Sequence, residues 1–189
     1  MRALVAVLAC LACLALGACA SYTGSARAIT PAALEEPGWL HVRGVTFLRQ
    51  RAASDCGAAA IGMVVGYWKR MPPDTIAADL RPAPPAGIKA ARLRDTARAR
   101  DLAAFVIAGE VADLEHELAA GRPVLVGMQK PQRRGTLAHY EIVVAYHRER
   151  RLVVTLDPAE GLRQNTLEGF LVEWEGAGRL AVIVAARAS

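Results

Sequence analysis

The stretch that most constrains the fold of this chain is residues 56–68, CGAAAIGMVVGYW, which contains no charged side chain. Ser54 and Asp55 stand immediately before it, and both are residue types that cap helix N-termini. Its apolar positions cover most of the circumference of a helix, which predicts a helix packed on most sides. Cys56 then lies in the first turn, where free backbone amides and the helix dipole favour a thiolate.

The first residues have the layout of an export signal. Arg2 is followed by the uncharged apolar stretch 3–16 and then by small residues. This stretch is too short for a membrane span, which needs ~20 apolar residues. Leu16-Gly17-Ala18-Cys19 resembles the bacterial lipobox, which implies a lipoprotein signal peptide over residues 1–18 and attachment of acyl chains, palmitate among them, to Cys19. The alternative is an ordinary signal peptide cut after Ala18.

The residues after the signal predict a tether and one domain. Residues 19–38 are small, polar and punctuated by proline, which is typical of a flexible tether. Residues 39–189 are enough for one domain with a core of its own. Ala20 and Ser21 are not acidic, which resembles outer-membrane sorting. We therefore expect a lipid-anchored protein of the bacterial cell envelope, on the periplasmic face of the outer membrane.

Composition argues against a nucleic-acid partner. The net charge of +5 comes mostly from scattered arginines, and aromatic residues make up only 5% of the chain. A basic stripe interleaved with aromatic residues, which nucleic-acid binding requires, is absent from the sequence. A metal site is not expected either, because the histidines do not fall at ligand spacings and Cys56 has no cysteine neighbour.

Hydrophobic periodicity predicts an α+β fold with helices in the first half and strands in the second. We expect a strand or extended segment at 45–48 and a basic, mobile loop at 129–137. Further helices are predicted at 74–80, 88–100, 111–120 and 166–173. Further strands are predicted at 103–107, 123–128, 139–146, 152–156 and 180–185.

Cys56 is the candidate nucleophile. Export implies an oxidising compartment, where structural cysteines normally pair. Cys10 and Cys13 would leave with the signal and Cys19 would carry lipid, so Cys56 has no partner for a disulfide. A solitary thiol at a helix start, flanked by Asp55 and Gly57, therefore predicts a reactive cysteine rather than an inert one.

A thiol nucleophile needs a base, an orienting group for that base and an oxyanion donor. His139 is the candidate base because it begins a strongly apolar strand directly after a polar loop. Asp157 ends the next strand and is the candidate orienting group, although Asp-Pro is equally typical of a turn. Gln50 precedes Cys56 by six residues and is the candidate oxyanion donor.

The other polar candidates are expected to be structural or solvated. His41 lies in the segment leading into the domain. His116 stands between two glutamates, and His147 ends a strand in a charged turn, so both are expected at the surface. Glu141 follows His139 by two residues on the same strand face, and we expect it to face solvent rather than to line the cleft.

Four ordered motifs resemble the bacteriocin-processing double-glycine peptidases. They are Gln50 with Asp-Cys-Gly-Ala-Ala at 55–59, Gly-Ile-Lys-Ala-Ala-Arg-Leu at 87–93, His139-Tyr140, and Asp-Pro-Ala-Glu-Gly at 157–161. The resemblance implies a papain-like cysteine peptidase fold with no cofactor. It also implies a peptide substrate cut after Gly-Gly-like sites, with Cys56 as nucleophile, His139 as base, Asp157 as orienting group and Gln50 as oxyanion donor.

The family domain usually belongs to an ABC exporter, but this sequence has no transmembrane bundle and no Gly-x-x-x-x-Gly-Lys-Ser/Thr loop. We therefore expect a stand-alone lipoprotein, with association with a separately encoded exporter as a corollary. Two alternatives stay open. One is a cell-wall peptide hydrolase, although those enzymes normally place serine where this chain has Gly57. The other is a lipoprotein that binds peptides without cleaving them.

Overall fold

The computed structural model describes residues 24–80 and 87–187, and the statements below refer to these residues. The predicted signal peptide, 1–18, and the predicted lipidation site, Cys19, lie outside them. The strands are β1 (Arg27–Ala28), β2 (Trp39–His41), β3 (Leu102–Ala108), β4 (Val124–Pro131), β5 (Thr136–His147), β6 (Leu152–Asp157), β7 (Gly161–Thr166) and β8 (Leu180–Ala186). The helices are α1 (Cys56–Lys69), α2 (Pro73–Ala77), α3 (Ala90–Arg98), α4 (Val111–Ala119) and α5 (Leu167–Glu175).

The strands form one antiparallel sheet in the order β1-β7-β6-β5-β4-β8-β3. β2 pairs with the end of β5, where Trp39 stands opposite His147. β5 is the longest strand and lies between β4 and β6, so both of its edges are hydrogen-bonded. Alternate residues of a strand point to opposite faces, and a slip of one residue in β5 would therefore exchange its whole set of inward side chains.

Each face of the sheet has its own apolar core. Leu125, Ile142 and Val182 pack with the buried residues of α1, α2 and α3. Val124, Val126 and Val143, which alternate with them, pack with α4 and α5, where Phe170 and Trp174 are almost completely buried. The result is a sheet covered by helices on both faces, and the predicted α+β class is confirmed.

Helix α1 is the most buried helix among the described residues, because each residue from Cys56 to Gly66 is buried. Its glycines allow a close approach of α2. A Cβ on Gly62 would lie 2.5 Å from the carbonyl oxygen of Pro73, and one on Gly66 would lie 2.8 Å from that of Met71. These contacts fix the axis of the helix that begins with Cys56.

The predicted flexible tether over residues 19–38 differs from the structure in the part that the structure describes. Arg27 and Ala28 pair with β7, a 3₁₀ helix spans Pro31–Leu34, and the Leu34 side chain is buried. The proline and small residues that suggested flexibility instead form a strap on the domain surface, because Leu34 contributes to a core face.

Most predicted elements exist, with shifted boundaries. α4, β8 and the helix capped by Thr166 are confirmed, and the Thr166 hydroxyl accepts a hydrogen bond from the Gly169 amide at 3.1 Å. Residues 129–137 do not form a long loop, because β4 continues to Pro131 and β5 begins at Thr136. Residues 45–48, predicted as a strand or extended segment, do not form a strand, and β7 was not predicted.

None of the helices in residues 24–80 and 87–187 combines the length and the hydropathy that a membrane span needs.

We predict that Gly62→Ala destabilises the protein by about 1–3 kcal/mol, although alanine favours helices, because the new methyl group collides with the Pro73 backbone. Urea unfolding measures this change. Lys69→Ala introduces the same residue at an exposed position of the same helix and should change stability by less than about 0.5 kcal/mol. Equal stability of the two variants would contradict the packing argument.

Candidate active site

Cys56 is the first residue of α1 and its side chain is buried, with 5% of the residue exposed. A short 3₁₀ helix, Ala53–Asp55, leads the chain into this position. The Asp55 side chain makes no capping hydrogen bond, so it does not compete for the free amides at the helix start. Within the described residues Cys56 is a free cysteine, as the sequence predicts.

His139 and Asp157 are joined across the β5–β6 pair. Ile142 stands opposite Leu156, which brings the residues before Ile142 alongside the end of β6. His139 Nε2 lies 2.8 Å from Asp157 Oδ1, and the exposed fractions of the two side chains are 1% and 0%. His139 is also hydrogen-bonded to the Cys56 side chain. Because Asp157 engages Nε2, Nδ1 is the ring atom left to face the thiol.

The environment of His139 favours its protonated form. Burial alone lowers the pKa of the imidazolium. The hydrogen bonds to Asp157 and Cys56, together with the negative charges of Asp157 and Glu141, outweigh burial and raise the pKa of His139 above its ordinary value. The ring can therefore hold a proton beside Cys56 while remaining out of water.

Asp157 is held as an anion. Burial alone raises the pKa of its carboxyl, but the His139 hydrogen bond and charge, the Ala159 amide and Lys130 lower it overall. The Ala159 backbone N–H donates to Asp157 Oδ1 at 2.7 Å. Both sequence interpretations of Asp157 therefore hold, since it opens a turn and also contacts the histidine.

Gln50 is tied to the same turn by its backbone. The Gln50 backbone N–H donates to the Pro158 carbonyl at 3.0 Å. Gln50 lines a pocket with Ala58, Ala59 and Asp74, and its Oε1 is buried without a hydrogen-bond partner among residues 24–80 and 87–187. The loop thus fixes the Gln50 backbone close to the site.

The remaining histidines lie elsewhere. His116 is exposed on α4, as predicted. His41 is half-buried on β2. The surface position predicted for His147 is wrong, because its ring is buried against Trp39, with ring centroids 5.2 Å apart.

A buried ion network lies beside the cysteine, histidine and aspartate, and sequence reasoning missed it. Lys130 Nζ lies 2.8 Å from Glu141 Oε1 and 2.7 Å from Glu173 Oε2, and all three side chains are 3% exposed or less. Burial alone lowers the pKa of the Lys130 ammonium, but the two carboxylates outweigh it and raise the pKa. Burial raises the pKa of Glu173 despite Lys130.

The expectation that Glu141 faces solvent is therefore wrong. The side chain is 1% exposed and points into the sheet's core together with Lys130. A signal was present in the sequence. Val124, Val126 and Met128 alternate along β4, and continuing that alternation places Lys130 inward, where a carboxylate partner is required.

The sequence model of the C39 peptidase family matches residues 45–188. This chain belongs to the C39 peptidase family. It is a family of cysteine peptidases, so the predicted enzyme class and the resemblance to double-glycine peptidases are confirmed. No curated protein sequence matches the chain at a significant level.

Solved structures share the fold of this C39 peptidase. A double-glycine-motif protease from an AMS/PCAT transporter, solved in complex with the leader peptide, is 20% identical with a TM-score of 0.61, covering 78% of this chain and 94% of its own. The peptidase domain of Streptococcus ComA, a bifunctional ABC transporter involved in quorum sensing, is 20% identical with a TM-score of 0.61, covering 76% and 100%. A C39-like peptidase from Bacillus anthracis is 15% identical with a TM-score of 0.62, covering 80% and 99%. The predicted papain-like fold is confirmed.

The cleft of this C39 peptidase beside Cys56 is mostly apolar. It is lined by Ile88, Tyr140 and Leu180 together with Cys56 and His139. A Cβ on Gly57 would lie 3.2 Å from the Tyr140 ring and 3.4 Å from Ile88. There is therefore little room for a side chain at the residue after the cysteine.

The Tyr140 hydroxyl lies in a buried environment. Burial, followed by the charge of Cys56, raises the pKa of Tyr140 to about 12, which keeps its hydroxyl neutral.

Three side chains of the site have the composition of a metal site. Ligand atoms of His139, Glu141 and Asp157 lie within 4.8 Å of one another. They are already engaged, because His139 bonds to Asp157 and the Lys130 ammonium contacts Glu141. This donor set fits proton chemistry better than a divalent cation, whose charge Lys130 would oppose.

Proposed function

We propose that Cys56, His139 and Asp157 form the catalytic triad of a peptidase that cleaves exported polypeptides. The observation that carries this proposal is the hydrogen-bonded chain from Cys56 through His139 to Asp157, with Cys56 at the start of α1. A nucleophile, its base and an orienting group within hydrogen-bond reach are the arrangement that thiol catalysis needs. Membership of a cysteine peptidase family supports the same role.

The reaction follows from that geometry. The Cys56 thiol gives its proton to His139 Nδ1, and the sulfur attacks the carbonyl carbon of the scissile peptide bond. The resulting oxyanion collapses to a thioester as the C–N bond breaks and His139 donates the proton to the leaving amine. Water, deprotonated by His139, then hydrolyses the thioester and restores the thiol. Asp157 keeps the ring oriented and compensates its charge in each step.

Specificity for small residues before the cleaved bond is part of the proposal. Its support is the likeness of the fold to a double-glycine-motif protease that was solved in complex with the leader peptide. Gly-Gly-like sites in exported polypeptides are the cleavage sites that we propose.

We predict that Cys56→Ala and His139→Ala abolish cleavage, because the first removes the nucleophile and the second its base. The assay uses the full-length protein in detergent and a peptide with Gly-Gly before the scissile bond, followed by mass spectrometry. A second peptide has leucine in place of the last glycine and should be cut far more slowly. His116→Ala, which changes an exposed histidine, is the matched control and should keep full activity.

Undiminished cleavage by Cys56→Ala would refute the triad. Digestion of purified cell wall but not of either peptide would favour a cell-wall hydrolase. Tight binding of the Gly-Gly peptide without cleavage by the wild-type protein would favour a binding function.

Gln50 is proposed as the side-chain donor to the oxyanion, beside the Cys56 backbone N–H. Its support is the loop that holds its backbone against Pro158, next to Asp157. The donor role requires the Gln50 amide to reach the carbonyl oxygen of a substrate held at Cys56.

We predict that Gln50→Ala lowers kcat by about 10²–10³-fold and changes KM little, because an oxyanion donor acts on the transition state. Steady-state kinetics with the Gly-Gly peptide measures both constants. Gln132→Ala, an amide in the β4–β5 turn, is the matched control. A change in KM with kcat preserved would assign Gln50 to substrate binding instead.

A lipid anchor at Cys19 is also proposed, with a position on the periplasmic face of the outer membrane and association with a separately encoded exporter as corollaries. The support is the lipobox-like sequence 16–19 and the non-acidic residues that follow it. Acyl chains contribute ~0.8 kcal/mol per buried CH₂, so several chains would hold the protein on a bilayer.

We predict that Cys19→Ala moves the protein from the membrane fraction to the soluble fraction and removes the lipid mass from its N-terminus. Fractionation with mass spectrometry checks both results. Cys13→Ala, within the predicted signal, is the control and should leave the anchor intact. Membrane retention of Cys19→Ala without lipid would overturn the anchor proposal.

A further inference from the structure

Glu141 has no part in the chemistry just described, yet it is buried beside the proposed base. It follows His139 by two residues on β5, so the two side chains leave the same face of the strand. Ligand atoms of His139, Glu141 and Asp157 lie within 4.8 Å of one another. Glu141 therefore places a second carboxylate next to the His139 ring.

Lys130 lies against that carboxylate, with Nζ 2.8 Å from Glu141 Oε1. A buried carboxylate needs such a partner to compensate its charge. Lys130 Nζ contacts both Glu141 and Glu173, and one cation cannot neutralise two anions. Burial raises the pKa of the Glu173 carboxyl, although Lys130 donates a hydrogen bond to Glu173 Oε2 at 2.7 Å.

The charged groups that face His139 come from each element packed around it. Cys56 approaches from α1, Asp157 from β6 and Glu141 from its own strand, with Lys130 of β4 and Glu173 of α5 behind Glu141. The charges of Asp157 and Glu141 favour a protonated His139, whereas Glu173 contacts Lys130, and Lys130 also lowers the pKa of Asp157. Glu141 and Glu173 thus contact the same lysine but differ in their access to the histidine.

We propose that Glu141, fixed by Lys130, is a positioning residue whose carboxylate stabilises the protonated His139 ring against Cys56. The proposal rests on the proposed function, because it concerns the proton transfer that activates the nucleophile. In that transfer the S–H bond of Cys56 breaks, an N–H bond forms at His139 Nδ1, and the electron pair stays on sulfur. A carboxylate beside the ring shifts this equilibrium toward the ion pair.

The test compares Glu141→Gln with Glu173→Gln, which make the same chemical change on either side of Lys130. The chain contains four histidines, and ¹⁵N-labelled histidine rings can be titrated by NMR, with the His139 signal assigned by its loss in His139→Gln. The His139 pKa should fall by about one unit or more in Glu141→Gln, because an adjacent charge is removed. It should fall much less in Glu173→Gln. Glu141→Asp, which keeps the charge, should restore most of the wild-type value.

Equal shifts in the two glutamine variants, or no shift in Glu141→Gln, would overturn the proposal. A His139 pKa at or below about 6.5 in the wild-type protein would also overturn it, and that measurement needs no variant. If the glutamine variant does not fold, Glu141→Val deletes the same charge with a side chain that suits the strand. The titration needs no substrate, so the two claims can fail separately. A wild-type protein without peptidase activity would refute the proposed function. The NMR titration alone decides whether Glu141 acts on His139.

Discussion

The burial of charge at one end of the sheet is the constraint on which the site depends. Lys130, His139, Glu141, Asp157 and Glu173 are each 3% exposed or less. Taking an ion out of water costs several kcal/mol unless a partner compensates it. Here the compensation requires β4, β5, β6 and α5 to meet in one register, because each contributes at least one member. A shift of one residue in β5 would leave Lys130 without Glu141 and Asp157 without His139. The site therefore forms only when the strands pair in this register.

The cysteine depends on a different element. Helix α1 is buried because alanines and glycines fill its first turns, and Gly62 and Gly66 let α2 approach within backbone contact. Its N-terminus is thus set by packing against α2 and by the 3₁₀ turn Ala53–Asp55. The loop through Gln50 connects this helix to the β6–β7 turn through the Pro158 carbonyl. The packing of α1 positions Cys56, the charge network of the sheet positions His139, and the two residues meet in the cleft.

Sequence patterns predicted the elements that local rules control. Apolar spacing found α1, α4 and β8, the Thr166 cap found the start of α5, and cysteine chemistry together with strand position brought Cys56, His139 and Asp157 together. The errors have one physical cause. Glu141 and His147 were placed in solvent because an isolated polar side chain normally belongs there, and Lys130 was placed in a basic, mobile loop. Their burial depends on partners distant in sequence, which are Lys130, Trp39 and Glu173 respectively, and only the register reveals them. The strap over residues 24–38 was missed for the same reason. Its two-residue strand forms by pairing with β7, which is distant in sequence.

The strap also passes close to the ion network, at Gly24. A Cβ on Gly24 would lie 2.3 Å from Glu173 Oε1 and 3.3 Å from Pro131, so the chain passes directly over the outer member of the network. Ser25 then donates a hydrogen bond to Asn165 Oδ1 at 2.6 Å, which fixes the strap to the strand before α5. Glu173 is kept from water by this crossing, and a carboxylate kept from water holds its contact with Lys130 without competition from solvent. The segment that leads from the predicted anchor into the domain therefore helps to exclude water from the charged side chains beside His139.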